Sequence, residues 1–182
     1  MMERELKPGG EIHFVEDSDG LLSFFVSREI GATEEGPSND ICYLGLSGTR
    51  SGQIGKGVRL ACVNHKINQL KQRTSAVCVI ATCATAPSLF AFRSFAGSVM
   101  PDEARHLDNR ERQSLRWFKR WFGWSAGQGE DDSLVMRGAS DARFTEAELS
   151  RQTAEKYSDP VFDALAIDER KGDRLILVGW VG

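Results

Sequence analysis

The segment from Gly48 to Gly57 combines four glycines with two cationic side chains, those of Arg50 and Lys56. It follows a run of β-type residues and precedes an amphipathic helical pattern. Backbone N–H groups that glycines leave accessible at a helix N-terminus form a concave binding site for phosphate oxygens. We therefore take this segment, called the Gly-rich turn below, as the candidate binding site for an anionic ligand.

Two common phosphate-binding motifs do not fit the Gly-rich turn. The P-loop pattern requires a glycine five residues before Gly55 and a Ser or Thr after Lys56, and the sequence has neither. The dinucleotide fingerprint fails because the spacing from Gly52 to Gly55 to Gly57 is the reverse of the spacing which that turn requires. A third phosphate-binding pattern has to account for the segment.

Other residue types that could take part in chemistry are scattered along the chain. We expect His13, His65 and His106 to be solvated on strands or polar helix faces, and we assign no catalytic role to them. Tyr43 lies in the middle of a strand and is expected to pack. The aromatic residues between Trp117 and Trp124 recur at helical spacing and are expected to pack against a sheet rather than line an acceptor pocket.

The elements around the Gly-rich turn follow from residue periodicity. Residues 11–16 and 21–27 alternate as in strands and are joined by Asp17-Ser18-Asp19-Gly20, which predicts a hairpin. Residues 31–39 are predicted to form a loop and residues 41–47 a third strand. A helix is expected to follow the turn, with Leu60, Val63, Ile67 and Leu70 on its apolar face and Lys66 on a solvated face. The apolar run 76–81 predicts a buried parallel strand reached by a right-handed crossover.

The second half of the chain is less regular. A short helix is expected to begin at Pro87 and end at Gly97, and a charged amphipathic helix is expected from Glu103 to Phe122. Residues 125–132 are predicted to form a loop and residues 174–181 a terminal strand. No internal repeat is evident.

Length and composition limit the classes of function. A chain of 182 residues with 41% hydrophobic residues is the right size for one domain. Its net charge of -3 comes from nearly balanced acids and bases spread along the chain, so we expect no nucleic-acid or membrane partner. The terminus lacks a secretory pattern, and we expect a soluble, cytoplasmic protein. Four cysteines lie in apolar or periodic stretches and are expected to pack as thiols, with no metal site implied: Cys42, Cys62, Cys78 and Cys83.

The residues from Arg50 to Gly57, followed by Leu60, resemble the pyrophosphate-binding Arg-x-x-Gly-x-Gly/Ala turn of the GNAT superfamily of N-acetyltransferases. Arg50 and Gly55 match the pattern, whereas Gln53 occupies the place of the first glycine and Gly52 comes one residue early. The order of elements over residues 11–101 is similar to that of the superfamily, and residues 102–182 diverge. The resemblance implies one α/β domain over residues 1–182, with a GNAT-like mixed central sheet and helices on both faces. Because only ten residues precede the hairpin, it also implies an N-terminally shortened domain.

The resemblance implies acetyl-CoA as the co-substrate and an amine on a small molecule or a peptide as the acceptor. The amine would attack the thioester beside the strand that ends at Leu46 and Ser47, where a backbone N–H would polarise the carbonyl group. The segment similar to the helix along the pantetheine arm begins near Ala86, with Phe90 and Phe92 in the usual tyrosine region. The cofactor-binding residues that the resemblance implies are Leu46, Ser47, Arg50, Ser51, Gly52, Gln53, Ile54, Gly55, Lys56 and Gly57.

Three functional classes remain open at this point. The chain is an acyl-CoA-dependent N-acyltransferase, or a GNAT-like protein that binds CoA or a partner without catalysis, or a module whose Gly-rich turn binds nothing. Cofactor titration separates the third class from the other two, and amine-dependent thiol release separates the first from the second. A homodimer is a further expectation, and the catalytic acid and base stay unassigned.

Overall fold

The structure is a computed structural model, and it describes residues 10–32, 39–73, 75–102, 105–124, 132–140 and 159–182. Seven strands occur within these ranges: β1 (Gly10–Asp17), β2 (Gly20–Ile30), β3 (Ile41–Thr49), β4 (Val77–Cys83), β5 (Gly97–Met100), β6 (Val135–Met136) and β7 (Arg174–Val181). The helices are α1 (Val58–Lys71), α2 (Ala86–Arg93), α3 (Asn109–Phe122) and α4 (Pro160–Ala164). The predicted hairpin, third strand, long helix and buried strand are all present in the expected order.

The strands form a seven-stranded sheet in the order β1-β2-β3-β4-β7-β5, with β6 paired to β7. β1 and β2 pair antiparallel, as do β2 and β3, whereas β3 and β4 pair parallel. A parallel pair requires a crossover, and α1 supplies it between β3 and β4. The sheet is therefore mixed, and the predicted α/β fold class is confirmed. No helix among the described residues is long and apolar enough to cross a membrane.

The chain divides into two compact units, Met1–Ala81 with Trp180–Gly182 and Thr82–Gly179. In the first unit α1 packs on β1, β2 and β3. Its core is made of side chains that are almost fully buried, among them Phe25, Ile41, Ile67, Leu70 and Ile80. This packing fixes the helix that begins at the Gly-rich turn. The single domain over residues 1–182 stays a prediction.

The second unit has its own core, in which Leu89, Leu115 and Phe118 are fully buried together with residues 175–178 of β7. At Gly179 of β7 an added Cβ would lie 3.0 Å from the side chains of Ala96 and Phe92, so the backbone of β7 approaches α2 closely. Three features were not predicted here: the strands β5 and β6 and the short helix α4.

Two element boundaries in the second unit differ from the sequence prediction. The helix that includes Pro87 ends at Arg93, and Gly97 begins β5 instead of ending the helix. The charged helix begins at Asn109 rather than Glu103, because Asp108 caps it and Glu111 completes a reciprocal capping box. The loop predicted for residues 125–132 lies outside the described residues except for Asp132, and the loop predicted for residues 31–39 lies outside them from residue 33 to 38.

Candidate functional site

The Gly-rich turn leads from β3 directly into α1. Residues Ser51–Gln53 form a single 3₁₀ turn after Arg50, and α1 then begins with Gly57 as its N-cap residue. Gly55 and Gly57 have φ values of +81° and +76°, in the left-handed region that side chains other than glycine rarely adopt. The glycines therefore produce the sharp change of direction between the strand and the helix.

The glycines of the turn also leave open space around its backbone. A Cβ atom added at Gly52, Gly55 or Gly57 would meet no other atom within 4 Å. These three residues are exposed, as are Ile54 and Lys56. A ligand can therefore approach the backbone of the turn closely from the solvent.

The amide groups from Gln53 to Val58 fall into two sets. The amides of Gln53, Ile54 and Lys56 donate to carbonyl oxygens of the turn itself, at 2.8, 3.4 and 3.2 Å. In contrast, the amides of Gly55, Gly57 and Val58 donate no hydrogen bond to any part of the chain that the structure describes. The second set consists of donors that an anion could accept from.

The N-terminus of α1 has the electrostatic character of an anion site. The helix is 14 residues long, no side chain caps its N-terminus, and its first turn contains no acidic residue. The helix dipole and the N–H groups of the first turn, which lack carbonyl partners within the helix, favour negative charge at this end. Lys71 lies in the last turn, where a cation is stabilised.

Arg50 anchors the turn to the β1–β2 hairpin. Its backbone amide donates to the carbonyl oxygen of Leu22 at 2.8 Å, and its Nη2 donates to the carbonyl oxygen of Asp19 at 3.0 Å. The side chain of Arg50 thus reaches the tip of the hairpin, close to Gly20, where an added Cβ would lie 3.5 Å from Nη2. In this structure Arg50 supports the shape of the turn through backbone carbonyl groups.

Leu46 and Ser47 lie where β3 changes its pairing. The register of β3 with β4 runs from Ile41 opposite Cys78 to Leu44 opposite Ala81, while β3 itself continues to Thr49 along β2. On the β2 side, two residues of β3, Gly45 and Leu46, face the single residue Val26, which makes a β-bulge. Bulges re-aim the backbone and are frequent beside binding sites.

The charges of the chain are not evenly spread, contrary to the sequence expectation. Residues 41–101 contain no Asp or Glu but seven basic residues: Arg50, Lys56, Arg59, Lys66, Lys71, Arg73 and Arg93. The Gly-rich turn lies within this segment. The absence of carboxylates from the surrounding sequence favours an anion site. The composition of the whole chain did not show this signal, because it averages over regions that are rich in acids.

A buried lysine in the middle of α1 was not predicted. Lys66 was expected on a solvated face, yet only 2% of its side chain is exposed. Its ammonium group contacts the carboxylates of Glu11 on β1 and Glu29 on β2, and Glu29 also contacts Arg73. Burial by itself would lower the pKa of Lys66 and raise the pKa of Glu29. The hydrogen bonds and ion pairs together outweigh burial, so the pKa of Lys66 is raised and the pKa of Glu29 is lowered. The carboxylates make the burial of this charge possible.

His13 lies in the same network, and the expectation that it is solvated was wrong. Its Nε2 lies 3.0 Å from Oγ of Ser27 and 3.5 Å from the carboxylate of Glu11, and its ring stacks on Phe25. The reason is that odd-numbered residues of β1 face α1. Burial, followed by the nearby ammonium of Lys66, lowers the pKa of His13. Because the serine and the glutamate contact the same ring nitrogen, this set of residues lacks the geometry of a catalytic triad.

The other candidate residues mostly lie as expected. His65 and His106 are exposed, Tyr43 is buried, and all four cysteines are buried free thiols. Of the aromatic residues on α3, only Phe118 is fully buried, whereas Trp117 and Trp121 are partly exposed and stack on each other with centroids 6.1 Å apart. The prediction that this cluster packs inside is therefore correct for Phe118 and only partly correct for the tryptophans.

Comparison with known proteins finds solved structures that are similar to this chain, and two of them are described here. One is a protein from Corynebacterium glutamicum described as histone acetyltransferase HPA2 and related acetyltransferase, 18% identical with a TM-score of 0.42 over 59% of this chain and 62% of that chain. The other is an integron cassette protein from the mobile metagenome of V. cholerae, 16% identical with a TM-score of 0.41 over 58% and 65% of the two chains. Each likeness spans less than two thirds of the neighbour. No protein-family model and no curated protein sequence matches the chain.

Proposed function

We propose that this chain binds an acyl-CoA at the Gly-rich turn and transfers the acyl group, an acetyl group, to an amine. The observation that carries the proposal is that the amides of Gly55, Gly57 and Val58 have no hydrogen-bond partner in the described part of the chain. They lie at the start of a helix that has no capping side chain and no acid in its first turn. A pyrophosphate group would accept hydrogen bonds from these amides and would be stabilised by the helix dipole. This assignment is narrower than the ten residues that the sequence resemblance implies.

The remaining residues of the turn have supporting roles in this proposal. The amides of Gln53, Ile54 and Lys56 hold the turn in shape through bonds to its own carbonyl groups. Arg50 fixes the turn to the hairpin. The Lys56 side chain is exposed beside the phosphate position, within a segment that lacks carboxylates, and adds a favourable charge there.

The proposed reaction is direct transfer. The lone pair of a neutral amine attacks the thioester carbonyl carbon, the C–S bond breaks, the thiolate leaves with a proton, and the nitrogen loses one. Holding the amine in the attack position supplies much of the rate. The bulge at Gly45 and Leu46 is the proposed position of the thioester, with Ser47 beside it. A cytoplasmic location belongs to the same proposal.

A second function, CoA binding without catalysis, is favoured by the state of two candidate acid–base residues, His13 and Tyr43. His13 is committed to Ser27 and the buried Lys66 network, and Tyr43 is buried in the core. Neither lies in an exposed position from which it could exchange protons with a bound amine. Acyl transfer would then depend on other residues, such as the exposed His65 and His106.

Isothermal titration calorimetry with acetyl-CoA tests binding, and the matched probe is S-acetyl-N-acetylcysteamine, which keeps the thioester but lacks the pyrophosphate. We expect acetyl-CoA to bind and the short thioester to bind at least about tenfold more weakly. Equal affinities would contradict a pyrophosphate site at the turn, and absence of acetyl-CoA binding would contradict the proposal as a whole.

Thiol release from acetyl-CoA, followed with a panel of polyamine, amino-acid, aminoglycoside and peptide acceptors, separates the two functions. Release that depends on the amine supports transfer, whereas binding without release supports the second function. The protein's own thiols give little background, because all four cysteines are buried and burial raises the pKa of Cys42 to about 12.

A further inference from the structure

The outer strand of the hairpin has an unusual surface. β1 is the terminal strand of the sheet, and within the described residues it pairs only with β2. Ile12 and Phe14, on the face of β1 opposite α1, are 53% and 60% exposed. An edge strand with open N–H and C=O groups and exposed apolar side chains is a template for pairing with another strand.

We propose that a second copy of this chain pairs with this edge, β1 against β1, in an antiparallel arrangement around a two-fold axis at His13. The axis makes the two surfaces identical, as an isologous dimer requires. Residue Ile12 of one copy then lies opposite Phe14 of the other, and this apolar pair occurs twice on the same face. The proposal does not depend on acyl-CoA binding.

The sequence of β1 favours this register over its neighbours. In this symmetric antiparallel pairing, the residue on the two-fold axis lies opposite the same residue of the other copy, and residues of one face lie opposite each other. The possible registers therefore differ by moving the axis from one residue of β1 to the next. An axis at Phe14 would place Glu11 opposite Asp17 twice, which brings like charges together. Among the residues that the structure describes on both sides of the axis, an axis at Ile12 would pair five, from Gly10 to Phe14.

The axis at His13 avoids both problems. Seven residues of β1, Gly10 to Glu16, are paired, and the acidic residue Glu16 lies opposite Gly10 of the other copy. Glu11 lies opposite Val15 and retains its ion pair with Lys66 on its own chain. The register therefore buries the two exposed apolar residues without opposing two carboxylates.

Sedimentation equilibrium over a range of protein concentrations tests the proposal. We expect a monomer–dimer equilibrium, and the variant Phe14→Lys should weaken dimerisation by about tenfold or more because it places a charge opposite Ile12 of the other copy. The matched control is Leu21→Lys, since Leu21 is 46% exposed on the same hairpin but lies outside the paired residues. A chain that stays monomeric, or a dimer that Phe14→Lys leaves unchanged, would overturn the proposal.

Disulfide cross-linking tests the register itself. Directly opposite residues have Cα atoms about 4.5–5.5 Å apart, within the range that a disulfide spans, whereas a shift of two residues adds roughly 6.8 Å along the strand. A mixture of Ile12→Cys and Phe14→Cys chains should therefore form a cross-linked dimer of the two variants. Each variant alone should cross-link far more slowly, and equal rates in all three samples would exclude this register.

Discussion

The ammonium group of Lys66 on α1 contacts the carboxylate of Glu29 on β2, and almost none of the lysine side chain reaches solvent. Together with Glu11, this pair joins the helix to two strands. Charged groups are costly to remove from water, and their attraction offsets that cost only while the partners remain in place. The packing of α1 on β1 and β2 is therefore sensitive to the loss of a single side chain of this network.

Lys66→Met should lower the free energy of unfolding by about 1–3 kcal/mol, because two carboxylates lose their common partner. The range is below that for a fully buried pair, since the side chain of Glu11 is half exposed. Urea denaturation measures the effect. Lys71→Met, at an exposed position of the same helix, is the control, with an expected change of at most about 0.5 kcal/mol. Equal effects of the two substitutions would show that the network contributes no stability.

Acidification should destabilise the protein through His13. Burial and the Lys66 ammonium lower the pKa of this imidazole from its ordinary value of 6.5, so the unfolded chain binds the proton more readily than the folded one. The stability contribution is complete above pH 6.5 and is lost as the pH falls from there towards the folded-state pKa. Comparing unfolding free energies at pH 7.5 and 5.5, we expect the loss of stability to be smaller in His13→Gln than in the unaltered chain. An identical loss in the variant would assign the pH dependence to other groups.

Gly55→Val should weaken acetyl-CoA binding by at least about tenfold, because it places a β-branched side chain where the ligand approaches the backbone. A valine at φ +81° is also strained, so Gly55→Asn is the informative companion: asparagine tolerates this conformation but still occupies the open space. We expect both variants to lose affinity in calorimetry and only the valine to lower the melting temperature clearly. Full affinity in Gly55→Asn would contradict close approach of the phosphates at this position.

The start of α3 provides a prediction about stability in the second unit. Glu111 is 1% exposed and accepts hydrogen bonds from both terminal nitrogens of Arg105, at 2.8 and 2.7 Å, and from the amide of Asp108. Glu111→Ala removes the acceptor of all three hydrogen bonds and should cost about 2–4 kcal/mol, whereas Asp108→Ala removes one cap bond and should cost about 1 kcal/mol. Chemical denaturation of both variants shows which substitution lowers the free energy of unfolding more. A larger decrease for Asp108→Ala than for Glu111→Ala would contradict this explanation.

The elements of the first unit were predictable because their patterns are local. Alternation in the hairpin, the period of Leu60, Ile67 and Leu70, and the apolar run before Cys83 each indicate one type of element. β5 and β6 have four and two residues, too few for a period to show. The start of α3 could have been predicted from the capping-box spacing of Asp108 and Glu111. The charged residues before them also fit a helical pattern, so the predicted helix began too early.

The sequence predicted the position of the candidate site better than it predicted the contacts within the site. Glycine spacing identified the turn, but which amides remain available depends on bonds made after the chain has turned, such as that from Lys56 to Gln53. The burial of Lys66 could not be foreseen from α1 alone. Its partners, Glu11 and Glu29, are 55 and 37 residues away along the chain, and only the register of β1 with β2 brings them together.

Arg50 donates two hydrogen bonds, to the carbonyl groups of Asp19 and Leu22, and these bonds couple the motion of the hairpin tip to that of the Gly-rich turn. Any ligand that restrains the turn must also restrain the tip, although it need not contact it. Backbone amides around Asp19 should therefore exchange their hydrogens with solvent more slowly when the turn is occupied. The exposed tip of the β1–β2 hairpin thus serves as a remote reporter of occupancy at the start of α1.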